Sequence, residues 1–164
     1  MFAKKILWLF VLVSIFFIIT ESQLSRVKTV GHSMSGSLKF GVSYTVIDHY
    51  YSIFQPKRGD IIKYSLPFKT ENTDARFISR IIGLPGETIK VQGGHVYIDG
   101  SILEENYVFE GEVTREGSFL REAQAVTIPE KNYVIMGDKR SRSSDSREWG
   151  FITTENMHGK LIVF

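Results

Sequence analysis

Past residue 22 the chain is cut into short β-rich runs by turn residues, and no long amphipathic helix interrupts them. TVIDHYYSI (45–53) is β-branched and aromatic, and QPKRGD (55–60) supplies a turn after it. IIKY (61–64) and RFISRII (76–82) read as strands, the second stopped by the turn GLPGE. TIKVQGGHVYIDG sets two short strands around Gly93-Gly94, a hairpin signal, with Asp99-Gly100 opening the next turn. NYVIM (132–136) and KLIVF (160–164) complete the set. Short strands at this spacing predict a mostly β domain. Residues 101–127 are more polar and are expected to form a loop or hairpin projecting from the core.

The first 22 residues have a different character. Lys4 and Lys5 precede an uncharged apolar run, Ile6 to Ile19, and the next charge is Glu21. A positive flank before such a run marks a signal peptide or a membrane anchor. The run falls short of the roughly 20 residues that span a bilayer, and Ala3 and Thr20 partly close the gap. TESQL is a poor small-x-small cleavage site, so we read residues 1–22 as a retained single-pass anchor embedded in membrane lipid. The lysines then stay in the cytoplasm and residues 23–164 form one extracytoplasmic domain at the cell membrane.

Composition narrows the chemistry. There are no cysteines, which removes disulfides, thiolate catalysis and cysteine-based zinc sites; any nucleophile is an oxygen or a lysine. The net charge is +2 with both signs interspersed, which gives no reason to expect nucleic acid as a partner. The serine-rich stretch VGHSMSGSL (30–38) contains a candidate nucleophile, Ser33. A hydroxyl attacks only with a base to take its proton and donors to hold the oxyanion. By itself the stretch is equally an ordinary turn. His32 is adjacent to Ser33, but neighbours in an extended chain point to opposite sides. His49, His95 and His158 lie in or beside strand-like segments and read as surface or hairpin residues. GDKRSRSSDSREWG (137–150) is either a solvated charged loop or a salt-bridged platform.

Four segments in order bring these pieces together. SM-x-x-S-L (33–38), GDIIKY (59–64), SRIIGLPGE (79–87) and GDKRSRSSDSREWG (137–150), behind one N-terminal anchor, resemble the boxes of Gram-positive type I signal peptidases. The connecting phrases HVYIDGSILEENYV and IPEKNYVIMGD resemble that family's linking strands. The resemblance implies an antiparallel β-sheet fold of the signal-peptidase/LexA-like kind. It also implies a membrane-bound serine endopeptidase, without metal or cofactor, that cleaves signal peptides from exported preproteins. It puts Ser33 at the nucleophile, whose own N–H helps form the oxyanion hole, and Gly31 where some members carry an assisting serine. Arg80 and the pair Asp145 and Arg147 fall at the supporting salt bridges, and Ser143 at the serine that bonds the catalytic lysine. Met34 and Ile78 fall on the substrate-binding side. The preprotein would lie as an extended strand, with small side chains filling shallow apolar pockets.

The chain also departs from that pattern. Where the family's general base, a lysine, precedes the arginine, this sequence has Ser79. A hydroxyl has no comparable basicity, and losing a general base costs about 10²–10⁴-fold in rate. Gly36-Ser37 stand where Pro-Thr is usual, which implies a freer nucleophile loop, and Lys139 stands for an asparagine. Lys63 and Lys39 are amines that could substitute, although a surface role is the default for lysine. Two functions therefore stay open: a peptidase with an unusual or supplied base, or a non-cleaving binding and assembly factor for exported surface proteins such as pilins.

Overall fold

The strands deduced above pair into two antiparallel sheets in the computed structural model, which describes Trp8 and residues 23–68, 75–109 and 111–163. The expected anchor, Trp8 apart, lies outside the described residues; among those described, no helix is long and apolar enough to cross a membrane. In chain order the strands are β1 (Leu24–Lys28), β2 (Ser43–Asp48), β3 (Ile61–Tyr64), β4 (Phe77–Gly83), β5 (Thr88–Gln92) and β6 (His95–Ile98). They continue as β7 (Ser101–Ile102), β8 (Val126–Thr127), β9 (Asn132–Met136), β10 (Ile152–Thr153) and β11 (Met157–Ile162). A short α-helix, α1 (Ser146–Trp149), lies between β9 and β10. The larger sheet runs β1-β2-β11-β3-β4-β9-β10 and the smaller β7-β6-β5-β8. The hairpin at Gly93-Gly94 forms as expected: both glycines have positive φ, and Gln92 faces His95.

Strand alternation divides the apolar residues among three clusters. Ile82, Val134 and Met136 of the larger sheet meet Ile89, Val91 and Val96 of the smaller, sealed by Leu120 and Ile128. Ile62, Tyr64, Ile81, Ile135 and Ile152 form a second cluster. Val46, Ile61 and Leu161 form the third, covered by Met34 and Leu38 from the loop after β1. That third cluster positions the site, because burying Met34 and Leu38 seats Ser33 beside the sheet.

Three local readings are corrected. The strand expected over 45–53 stops at Asp48: His49 has φ 55° and a 3₁₀ turn follows at Tyr50–Ser52. The aromatic residues that read as strand instead pack as a surface turn, with Tyr50 stacked on Phe54 and the Tyr51 hydroxyl donating to Asp60. β1 was not anticipated, because LSRVK is an edge strand whose Arg26 and Lys28 dilute its hydrophobic signal. Residues 101–127 do not project. Leu120 is fully buried, Phe119 and Leu120 donate to the Arg147 carbonyl, and Glu105 and Glu112 pair with Arg140 and Lys139.

Candidate functional site

Ser33 sits in a tight loop between β1 and β2. Ser35 N–H bonds the His32 carbonyl at 3.1 Å, and Ser37 and Leu38 N–H bond the Met34 carbonyl at 3.0 and 2.8 Å. Lys139 N–H donates to the Ser33 carbonyl at 2.8 Å, tying the loop to the segment after β9. Gly137 allows that approach: a Cβ there would fall 2.4 Å from Ser143 Oγ and 2.7 Å from the Ser33 carbonyl oxygen. Ser33, Ser79 and Ser143 consequently line one open cleft of about 270 Å³, together with Tyr64 and Ile78.

The frame around this cleft is ionic and buried. Asp138, fully buried, takes two bonds from Arg80, Nε to Oδ1 at 2.8 Å and Nη2 to Oδ2 at 2.7 Å, and one from Ser37 Oγ at 2.6 Å. Arg80 also donates to the Gly59 carbonyl at 2.8 Å, and its guanidinium lies 4.0 Å from the Tyr107 ring centre. Asp145 takes Arg147 Nε at 2.8 Å, Arg147 Nη2 at 2.9 Å and Gly137 N–H at 3.1 Å, which locks the end of β9 onto α1. The segment 137–150 is thus a salt-bridged platform. Asp138 and Ser37 were not singled out in the sequence: the aspartate of GDKR was hidden among neighbouring charges, and Ser37 read as a departure.

Nor is the loop slack at Gly36. A Cβ there would sit 2.6 Å from the Tyr107 carbonyl oxygen and 3.1 Å from Asp138 Cβ, so the glycine makes room for the 101–127 segment. Ser37, which follows it, is bonded to both Asp138 and Arg80. The entropy that glycine adds to the unfolded loop is offset by this close packing.

The cleft's titratable groups are few. Ser79, 2% exposed, has its Oγ 3.4 Å from the Tyr64 hydroxyl. Burial pushes the Tyr64 phenol up to about 12, so it keeps its proton at neutral pH. His32 lines the cleft but is exposed and stacks on Phe40, ring centres 4.8 Å apart. Lys63 does not serve as a base here. It faces Ile78 across β3 and β4, whereas Ile62 faces Ser79, so its side chain points to the opposite face of the sheet. Its ammonium is held by Asp48 and Ser25. A second groove of about 240 Å³ adjoins the cleft, between Val27–Gly31 and Arg76–Ile78, with Ser33 and Met34 in its wall.

Comparison with known proteins gives this arrangement its context. The family model "Signal peptidase, peptidase S26" matches residues 2–164. The chain belongs to the signal peptidase family. Among curated relatives, "Probable signal peptidase I-2" of Synechocystis is 36% identical over 115 residues, covering 69% of this chain and 50% of that protein. "Signal peptidase I" of Leptolyngbya laminosa is 36% identical, covering 69% and 54%. "Signal peptidase I" of Bacillus licheniformis is 32% identical, covering 79% and 69%. A crystal structure of a signal peptidase I from Enterococcus faecalis superposes with a TM-score of 0.54 at 33% identity, covering 67% of this chain and 99% of that one. This signal peptidase homologue spans about half the length of the two cyanobacterial relatives.

Proposed function

We propose that this signal peptidase homologue binds the signal-peptide region of exported preproteins as an extended strand in the groove beside Ser33, and holds it without efficient cleavage. The chemistry around Ser33 carries this reading. At the position of the family's lysine stands Ser79, whose neighbour Tyr64 is held at about 12 and cannot accept a proton at neutral pH. Among the described residues Ser33 then has the nucleophile's position without a base to activate it, a loss of about 10²–10⁴-fold for the base alone and more when nucleophile and base act as a unit. Met34 and Ile78 serve as the apolar wall for small side chains, and Arg80, Ser143, Asp145 and Arg147 act by holding the loop. Anchored through residues 1–22 with its N-terminus in the cytoplasm, such a protein suits an assembly factor for exported surface proteins such as pilins.

The second reading, a slow endopeptidase, is favoured by one observation: the frame that fixes Ser33 is complete, from Lys139 N–H to the Asp138–Arg80 pair. Cleavage of a preprotein by the full chain in detergent micelles separates the two. The expected result is binding without cleavage in the native protein and unchanged binding in Ser33→Ala. Ser79→Lys combined with Tyr64→Phe should then gain Ser33-dependent cleavage of about 100-fold or more. Native cleavage that Ser33→Ala abolishes would overturn the holding function in favour of the peptidase.

A further inference from the structure

The Ser33 cleft is rich in hydrogen-bond donors and poor in acids. Its lining includes Ser33, Tyr64, Ser79, Ser143, His32 and Arg142, and among the described residues no Asp or Glu. Arg142 is exposed, and its guanidinium has no ion pair or hydrogen bond among the described residues. Arg80, Arg140 and Arg147, by contrast, are each paired with an acid. The Ser33 and Ser143 hydroxyls are also without a partner among the described residues. The buried orphan atom among those residues is His158 Nε2, so both hydroxyls reach solvent. Asp138 and Asp145, on the platform behind, are buried and each bridged by an arginine. An exposed arginine alone is an ordinary solvated charge, but this one shares a cleft with open hydroxyls at the end of a groove. Gly31, Ser33, Phe77 and Ile78 line both the cleft and the groove between Val27–Gly31 and Arg76–Ile78. A peptide extended in that groove therefore brings either an end or its continuing chain into the cleft.

We propose that the cleft is a carboxylate site that receives the free C-terminus of a peptide lying in the groove, so that a cleaved signal-peptide fragment is preferred over an intact preprotein. This rests on the groove binding an extended peptide, as proposed above, and narrows which peptide it holds. A terminal carboxylate only accepts hydrogen bonds, and the cleft offers it hydroxyl donors and a guanidinium fork, which pairs well with carboxylates. A terminal ammonium in the same place meets the Arg142 charge and no acid. A continuing chain presents only a neutral carbonyl, whose bonds are about half as strong as those of a charged acceptor. The apolar wall at Met34 and Ile78 takes the small last side chain. Such a terminus arises by hydrolysis of a peptide bond: the hydroxyl of water bonds the carbonyl carbon, the C–N bond breaks and the nitrogen takes the proton. The supplying reaction is therefore an endopeptidase cleavage after a small residue, carried out by another enzyme, and this chain acts after it.

The test uses fluorescein-labelled apolar peptides ending in alanine, as the free acid and as the amide. Two further amidated forms carry Glu in place of the last Ala or continue beyond it. Binding to the full chain in zwitterionic detergent micelles is read by fluorescence anisotropy, with protein-free micelles as the blank. The free acid should bind about tenfold more tightly than the amide or the continued peptide, as a hydrogen bond to a charged group predicts. Arg142→Met should reduce that preference and Arg142→Lys should keep it; a preference that survives Arg142→Met undiminished overturns the cleft as its seat. The comparison among peptides on the native protein needs no variant to fold. A Glu amide that binds as tightly as the free acid assigns the carboxylate to a side chain and overturns the terminal reading. Equal binding of acid and amide overturns the carboxylate site and leaves the groove intact. No binding by any peptide overturns the groove reading and the site with it.

Discussion

Replacing Asp138 by alanine should be among the most damaging single changes in this domain. Asp138 is fully buried and accepts three side-chain bonds, two from Arg80 and one from Ser37. Arg80 is itself 9% exposed, and its remaining partners among the described residues are the Gly59 carbonyl, the Ser37 hydroxyl and the Tyr107 ring, none of them an anion. Truncation therefore strands a buried guanidinium, which costs about 3–5 kcal/mol. For a chain of this size that corresponds to a fall in Tm of about 6–20 °C. The measurement is thermal unfolding of the full chain in detergent, followed by circular dichroism. Adding Arg80→Met to Asp138→Ala should restore much of the loss, because an apolar pair removes the uncompensated charge. Asp138 also precedes Lys139, whose N–H holds the Ser33 carbonyl, so Asp138→Ala should weaken peptide binding as well. A loss below about 1 kcal/mol, the value of an exposed pair, would refute the assignment of this ion pair as the buried hinge of the site.

Gly36→Ala should cost about 1–3 kcal/mol, since the added Cβ meets the Tyr107 carbonyl, and near-neutral urea unfolding would contradict that packing. His158 has its pKa lowered by burial first and then by Arg76 and Lys63, so the unfolded chain binds the extra proton more readily. Stability should be full above the ordinary histidine value of about 6.5 and fall as the pH drops through the folded value. Urea midpoints between about pH 7.5 and 5.5 check this: His158→Asn should flatten the slope, and a native protein that gains stability on acidification contradicts it.

Much of the fold was legible because local signals and tertiary structure agree. β3, β5, β6 and β9 lie where alternation and turn residues put them, and the Gly93-Gly94 hairpin needed only two positive-φ glycines. The strand over 45–53 failed past Asp48 because β-propensity of aromatic residues is a preference for a pleated, half-buried surface, which Tyr50 and Tyr51 find in a turn. Residues 101–127 misread as projecting because acidic side chains look solvated in sequence, whereas Glu105 and Glu112 close onto Arg140 and Lys139.

The sequence by itself determined the β class, the absence of thiol chemistry, the family boxes and the substitution at Ser79. All of these are properties of single residues or short segments. Tertiary structure alone decided which charges are paired. Ser37 and Asp138 are 101 positions apart and bonded at 2.6 Å, and Gly36 is required by a carbonyl from a distant loop. It also decided that Lys63 faces away from Ser79, because neighbouring residues of a strand project to opposite faces of the sheet and register fixes which residue each one meets.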